Sequence, residues 1–399
     1  MAALRWLLRL VVAIIIATSL MAPATHTLAP SSTSFNPGPP PPPPAPNMTS
    51  APPPAPIQEG VLTRDTGMDT SVCPRFIVCG TDLGIPFLLP NGSVGYLFGD
   101  TFAVAGPNIP NLRPGTDHWR SPVMLRSNVM PVVGTPIAFD SAAALDGEGM
   151  APEFMFNAHR DGYEISVLPN DGVSLPNGDI VVSFMSIGEG MTKDNPHWRT
   201  NFASLAISHD GNTFERIPVQ PGAAIWANDQ DNSDPFQMWS MQLDGDYVYI
   251  ITVRSGRQSG PMMMLRVPWD RMLDKSAYVC WNGTDWGGDC QPILPDSKYG
   301  EPSLRKLSDG TWVMSYVDFT YTHIATRTAP GPEGPWSEPK VQYTWKQLNA
   351  LYGGFVHPYS TTDNLIMMVS TWQAKIHDPD TEDDDELIRY DVNHLVGTS

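Results

Sequence analysis

The sequence has few cysteines, few basic residues and few long apolar segments. Four cysteines occur in 399 residues, as the close pairs Cys73 with Cys79 and Cys280 with Cys290. Neither spacing matches a zinc-binding pattern, so we expect no metal site and no cofactor. Lys and Arg number 24 against 42 Asp and Glu, which gives a net charge of −18. This surplus argues against nucleic acid or anionic lipid as a partner, because both are bound through clustered cations.

One apolar run stands out, and it lies at the N-terminus. Arg5 and Arg9 precede the apolar residues Leu10 to Leu20, and Ala-Pro-Ala follows at 22–24. Basic, apolar and small residues in this order indicate a signal peptide over 1–24, with an uncleaved anchor as the alternative. We therefore expect a secreted or cell-envelope protein. In such a protein the close cysteine pairs suggest two local disulfides, although four cysteines allow three connectivities.

Residues 25–62 predict a spacer, and residues 63–399 predict the folded body. The spacer is rich in Pro, Ala and Ser and holds six consecutive prolines at 39–44. Proline lacks a backbone donor and fixes φ, so this stretch should be extended and solvated. Within the body, the acidic run from Asp378 to Glu386 is typical of a solvated loop.

The body repeats one phrase, in which a Gly, Asn or Asp turn precedes an apolar strand. The turns begin near positions 91, 177, 244, 309 and 363. Segments with helical spacing are scarce, and the best short candidates are Trp269–Lys275 and Trp345–Leu351. Five repeats of this length predict an all-β, five-bladed β-propeller, with a two-sheet sandwich as the main alternative.

The first phrase predicts a β-hairpin from Gly80 to Phe102, with Asn91-Gly92 as its turn. Folding about that turn brings Asp82 and Asp100 to the same end. A simple two-residue loop would pair Asp82 with Thr101 and put Asp100 on the opposite face, so a shared pocket requires a bulge or frayed ends. Two carboxyl groups across a glycosidic bond are what hydrolysis requires. From spacing alone, the structural interpretation is the favoured one, in which Asp82 caps a turn and Asp100 ends a strand.

Propellers bind ligands over the central channel, so side chains near the ends of the five phrases are the further candidates. Each also has a structural interpretation, such as filling a gap between blades or forming an ion pair. The candidate substrate-binding residues are Trp119, Arg120, Glu164, Trp198, Asn201, Glu301 and His357.

A series of motifs runs through the body, in the order TDLGIPF, GYLFGDTF, WRSPVML, EISVLPNDGV, FMSI, WRTNFASLAISHDGNTF, YGEPSLR, GPWSEP and LYGGFVHP. Together they resemble glycoside hydrolase family 183, which includes endo-D-arabinanases that cut the D-arabinan of mycobacterial arabinogalactan and lipoarabinomannan. The resemblance covers about residues 70 to 395 and implies a five-bladed propeller. By position it implies that Asp82 and Asp100 are the catalytic pair, and we favour Asp100 as general acid and Asp82 as base or nucleophile.

Three functions compete at this point. The first is an exported endo-D-arabinanase whose partner is cell-wall arabinan. The second is a non-catalytic propeller that binds the same polysaccharide through its aromatic and polar groups. The third is a sialidase-like hydrolase, suggested by SHDGNTF at Ser208, which resembles a degenerate Asp-box turn.

Overall fold

The computed structural model describes residues 61–103, 118–190, 197–348, 351–375 and 386–397. Within these ranges 22 strands form five separate antiparallel sheets, and helix is nearly absent. The predicted five-bladed propeller is confirmed, and the sandwich is excluded. The predicted signal segment lies outside the described residues. So do the spacer, apart from Val61 and Leu62, and the acidic run, apart from Glu386.

Each sheet is one blade, and its strands are numbered here in chain order. Blade 1 contains β2 (Gly80–Leu88), β3 (Val94–Phe102), β4 (Val123–Ser127) and β5 (Ser141–Ala142). Blade 2 contains β6 (Ser166–Ser174), β7 (Ile180–Glu189), β8 (Arg199–Ser208), β9 (Glu215–Arg216) and β10 (Trp226–Ala227). Blade 3 contains β11 (Met238–Asp244), β12 (Tyr247–Val253), β13 (Gly260–Pro268), β14 (Val279–Cys280) and β15 (Leu294–Ser297).

Blades 4 and 5 complete the ring. Blade 4 contains β16 (Tyr299–Lys306), β17 (Trp312–Asp318), β18 (His323–Ala329) and β19 (Lys340–Thr344). Blade 5 contains β20 (Leu351–Val356), β21 (Leu365–Lys375), β22 (Glu386–Gly397) and, from the start of the body, β1 (Leu62–Arg64). A short helix, α1 (Val72–Phe76), joins β1 to blade 1.

The five repeated turns occupy equivalent places, because each joins the first and second strands of a blade. The first strands β2, β6, β11, β16 and β20 are the innermost strands. We call the end at which they begin the site face, and the end that carries the five turns the hairpin face. Asp82 and Asp100 lie near the site face, because one is close to the start of β2 and the other is close to the end of β3.

The ring closes through β1, which pairs antiparallel with β22. Arg64 Nε lies 2.9 Å from Asp391 Oδ2, and His394 Nδ1 lies 2.9 Å from both carboxylate oxygens of Asp65. Asp65 and His394 are buried. The first and last strands of the body are therefore joined by side chains as well as by the sheet ladder.

Apolar side chains fill the gaps between neighbouring blades. Trp239 of blade 3 packs with Trp226 and Leu205 of blade 2, and Trp312 of blade 4 packs with Met264 of blade 3. All are buried. This packing holds the innermost strands in place and so fixes the side chains that reach the channel.

The structure confirms the predicted disulfides but not the predicted short helices. Both predicted disulfides, Cys73–Cys79 and Cys280–Cys290, are present. The predicted helix at Trp269–Lys275 is wrong, because Trp269–Arg271 and Lys275–Ala277 form two 3₁₀ turns instead. The described part of the second candidate, 345–348, forms a turn. In the described ranges no helix is long and apolar enough to cross a membrane.

Candidate active site

The hairpin that carries the two aspartates is bulged, as a shared pocket requires. Thr81 pairs with Thr101, but Leu83 already pairs with Phe98, so Asp82 stands opposite two residues, 99 and 100. Such a bulge re-aims one side chain without breaking the sheet. Leu83 adopts a φ of 63°, a value that L-residues rarely adopt outside functional or strained places.

Asp82 is buried and lines a cavity at the site face. Burial raises the pKa of its carboxyl group to about 7, and the nearby charge of Asp100 adds to the rise. Hydrogen bonding by Tyr390 and Tyr352 and the charge of Arg257 oppose it. A carboxyl group with this pKa is protonated in a large fraction of molecules at neutral pH, which suits a proton donor.

Asp100 has more donors around it. Its Oδ1 accepts hydrogen bonds from Trp119 Nε1 at 2.8 Å and from Ser166 Oγ at 3.1 Å. Burial raises the pKa of Asp100, while these two hydrogen bonds and the charge of His159 lower it. Because two neighbouring carboxyl groups titrate together, the better-solvated member with more donors ionises first. That member is Asp100, because it is half-buried whereas Asp82 is buried.

The cavity beside Asp82 contains polar atoms without partners. Asp82 Oδ1, Glu301 Oε2 and the Tyr352 hydroxyl are all buried and have no hydrogen-bond partner of ordinary geometry among the described residues. The cavity measures about 50 Å³ and is also lined by Trp198 and Arg257. A buried polar atom without a partner costs about 1–3 kcal/mol, so three in one cavity indicate a place where a polar ligand or water completes the bonds.

The predicted aromatic residues lie beside the two aspartates. Trp198 lines the Asp82 cavity. Trp119 donates to Asp100 and meets the ring of His159 edge to face, with centroids 4.6 Å apart. His159 Nε2 in turn lies 2.6 Å from Glu153 Oε1. Trp119 is therefore held from two sides, and it fixes the orientation of Asp100.

Four other predicted residues do not line this cavity, and their polar groups bind within the fold. Arg120 donates to the carbonyl oxygens of His118, Ala151 and Ile77. Its pKa is lowered to about 10 by burial. These bonds give Arg120 a structural role, and its substrate contact stays a prediction.

Glu164 and Asn201 likewise hold the chain beside blade 2. Glu164 forms two hydrogen bonds with Arg216, at 2.8 and 2.9 Å. Burial alone would raise the pKa of Glu164, but Arg216 outweighs burial and lowers it. Asn201 Nδ2 donates to the Tyr163 carbonyl at 2.7 Å. Both residues therefore fix the segment that leads to Ser166, the donor to Asp100.

His357 lies in the core rather than at the cavity. Its Nδ1 accepts from the Tyr359 amide at 3.2 Å, so the ring proton resides on Nε2 and is donated to the Tyr96 hydroxyl at 2.9 Å. Burial, with the charges of Arg305 and His394, lowers its pKa to about 3. His357 is a neutral, hydrogen-bonded core histidine.

Sequence reasoning missed Arg257, Tyr352 and Tyr390, which surround Asp82. Tyr352 is the second residue of β20, so listing the first residues of every innermost strand could have found it. Arg257 lies between β12 and β13, and Tyr390 lies on β22 after the acidic run. Neither position carries a sequence signal. Within the described part of the chain, no group of three or more His, Cys, Asp or Glu is arranged to hold a metal ion.

Gly99 allows Asp82 to approach the backbone of β3. A Cβ at position 99 would lie 2.5 Å from Asp82 Oδ1 and 3.1 Å from the Leu83 side chain. Gly99→Ala should therefore displace the Asp82 carboxyl group and lower turnover of any substrate at this site at least about tenfold. Gly397→Ala, at the end of β22, where the nearest atom to an added Cβ is Gln342 Oε1 at 3.7 Å, controls for the added methyl group. Equal rates for Gly99→Ala and wild type, with unchanged circular dichroism, would contradict this placement.

Comparison with known proteins agrees with the fold and gives the family. A solved structure of a protein from Bacteroides ovatus ATCC 8483 matches with a TM-score of 0.51 and 15% identity, covering 81% of this chain and 86% of that one. "Notoamide biosynthesis cluster protein J'" of Aspergillus versicolor is 48% identical over 323 residues, which is 77% of this chain and 85% of the relative. An "uncharacterized 35.9 kDa protein" of Mycolicibacterium smegmatis is 29% identical over 167 residues, which is 37% of this chain and 48% of the relative. The family model described as "Domain of unknown function (DUF4185)" matches residues 69–393, and the chain belongs to that family.

Proposed function

We propose that this protein is an exported glycoside hydrolase that cleaves arabinofuranosidic bonds within arabinan, with Asp82 and Asp100 as its catalytic pair. The observation that carries the proposal is the bulged hairpin, which sets a carboxyl group of raised pKa beside a second, better-solvated one. The resemblance of the motifs to endo-D-arabinanases supports the substrate.

The environments of the two aspartates favour the reverse of the roles expected from the sequence. In this scheme Asp82, as the protonated carboxylic acid, gives its proton to the departing glycosidic oxygen as the bond to the anomeric carbon breaks. Asp100, as the carboxylate, either takes a proton from the attacking water or attacks the anomeric carbon itself. The partnerless Glu301 Oε2 and Tyr352 hydroxyl would bind sugar hydroxyl groups in the cavity.

The test compares the full chain with Asp82→Asn and Asp100→Asn on purified mycobacterial arabinogalactan. Asp274→Asn, which replaces a carboxylate on the outer part of blade 3, is the matched control. We expect arabinose oligomers, separated by chromatography, from wild type and control. Both site variants should be slower by about 100- to 10,000-fold, the usual contribution of an acid or base. A turnover rate of Asp100→Asn close to that of wild type would overturn the assignment of Asp82 and Asp100 as the catalytic pair.

Two other results would replace this proposal. Saturable binding of arabinan without products would support the non-catalytic, polysaccharide-binding propeller. The name of the Aspergillus relative points to a second candidate, a step in the synthesis of a secondary metabolite. Conversion of a purified notoamide-pathway compound by wild type but not by Asp82→Asn, with arabinan untouched, would support that candidate.

The sialidase-like hypothesis gains no support from its motif. In SHDGNTF, Asp210 Oδ1 accepts from the amides of Asn212 and Thr213 and from the Ser208 hydroxyl. These bonds form a turn after β8, where the strand has left the site face. The motif is therefore a structural turn.

A further inference from the structure

Glu301 and Arg257 form an ion pair that uses only half of the carboxylate. Arg257 Nη2 lies 2.6 Å and Arg257 Nε 3.0 Å from the same oxygen, Glu301 Oε1. The other oxygen, Oε2, is buried without a partner among the described residues. The contact is thus a strong charge-assisted one, directed through a single oxygen.

The structure holds Arg257 firmly in place. Its guanidinium lies over the rings of Phe319 and Tyr352, at 4.8 and 4.9 Å from the ring centroids. A Cβ at Gly300 would lie 2.5 Å from Phe319, so only glycine leaves room for that ring. Arg257 and Glu301 also adopt φ values of 57° and 45°. Strain of this kind persists where the surroundings over-determine a geometry, commonly at functional sites.

The pair is charged. Burial alone would lower the pKa of Arg257, but the Glu301 carboxylate outweighs burial and raises it. Burial raises the pKa of Glu301, and Arg257 opposes that rise. Both pKa values are raised, because burial outweighs the ion pair at Glu301 but not at Arg257. Glu301 is ionised, because its Oε1 lies 2.6 Å from the guanidinium of Arg257, which stays protonated in proteins.

Titratable or charged groups from five parts of the fold surround Asp82. Asp100 comes from β3, Tyr390 from β22, Tyr352 from β20 and Arg257 from the β12–β13 connection. Glu301, from β16, lines the same cavity. Arg257 is the cation among these groups, and it interacts with both Asp82 and Glu301. The protonation of Asp82 thus depends on whether Arg257 pairs with Glu301 or with Asp82.

We propose that Glu301 is a positioning residue whose carboxylate holds Arg257 away from Asp82, so that Asp82 keeps its proton at neutral pH. The inference rests on the proposed function only in taking Asp82 as the proton donor. Without the Glu301 charge, Asp82 is the remaining acidic partner of Arg257 in this cavity. A cation that pairs with a carboxylate lowers its pKa by about 1–3 pH units.

The first experiment measures the Asp82 titration without any substrate. In the full chain, the free energy of unfolding is compared with and without Asp82→Asn from pH 4 to 9. The difference changes with pH until Asp82 ionises in the folded state, and the pH at which its slope falls to half of the maximum, called the Asp82 midpoint, reports the folded-state pKa of Asp82. In the Glu301→Gln background this midpoint should fall by about one pH unit or more. In the Glu301→Asp background, which keeps the charge, it should stay within half of that change. An unchanged midpoint with Glu301→Gln would overturn the proposal.

Glu301→Gln leaves a buried guanidinium without its partner and could prevent folding. The double variant Glu301→Gln/Arg257→Gln removes both charges, and its Asp82 midpoint should return to the wild-type value or exceed it. A midpoint below wild type in the double variant would overturn the proposal, because no cation would remain to lower it.

The pH dependence of arabinan cleavage separates the two proposals. If kcat/KM of wild type falls at high pH as Asp82 ionises, Glu301→Gln should move that limb to lower pH together with the midpoint. A moved midpoint without arabinan cleavage by wild type supports the role of Glu301 and rejects the proposed function. Cleavage of arabinan by wild type together with an unchanged Asp82 midpoint in Glu301→Gln supports the proposed function and rejects the role of Glu301.

Discussion

Asp171→Ala is expected to lower the free energy of unfolding by about 3–5 kcal/mol, because it leaves a buried arginine without its partner. Asp171 binds Arg305 Nη1 at 2.8 Å and Nη2 at 2.9 Å, and both side chains are buried. Asp171 also accepts from Ser240 Oγ, and Arg305 donates to the Pro86 carbonyl. These residues lie on the innermost strands of four blades, so one change weakens four blades together.

Chemical denaturation at pH 7 measures this effect. The control is Asp244→Asn, which removes the partner of Lys306, 2.7 Å away, from a half-exposed pair. Exposed pairs contribute about 0–1 kcal/mol, so the control should differ little from wild type. A loss below about 1 kcal/mol for Asp171→Ala would show that the four blades hold together without this cluster.

Asp82→Asn is expected to stabilise the protein above pH 7. The pKa of Asp82 is raised from 3.8 to about 7 in the folded state, so folding favours the protonated form. Wild type therefore loses stability relative to the variant as pH rises from about 4 to about 7, and the difference is constant above that. At 1.36 kcal/mol per pH unit the full difference is at most about 4 kcal/mol.

Thermal unfolding of both proteins from pH 3 to pH 9 tests this linkage. Near pH 3 Asp82 is mostly protonated in both the folded and the unfolded state, so that end of the range is the internal reference. A difference in stability that does not change across the whole range would show that Asp82 titrates normally. Stabilisation of this kind would fit the proposed catalytic role of Asp82, because active sites commonly trade stability for activity.

The repeat and the hairpin could be predicted because local chemistry decides them. A turn at each repeat position fixes where two strands meet, and Asn91-Gly92 sets the first hairpin. The need for a bulge followed from counting residues between Asp82 and Asp100. The exact bulge, with its positive φ at Leu83, depends on packing with other strands and is invisible in the hairpin alone.

The surroundings of the aspartates could be predicted only in part, because they depend on tertiary contacts. Glu301 and Trp198 stood out as polar and aromatic residues near strand ends, and they line the cavity. Arg120 and His357 stood out for the same reason, yet the fold satisfies them internally. Residue type shows that a group can bind, but only the three-dimensional neighbours show whether its bonding capacity is already used.

The direction of β1 sets the face at which the chain enters the propeller. β1 runs antiparallel to β22, with Leu62 opposite Leu395 and Arg64 opposite Asn393. Since β22 runs from the site face to the hairpin face, the chain enters the body at the hairpin face. A tether attached through the residues before Val61 would therefore pull on the end opposite Asp82 and Asp100.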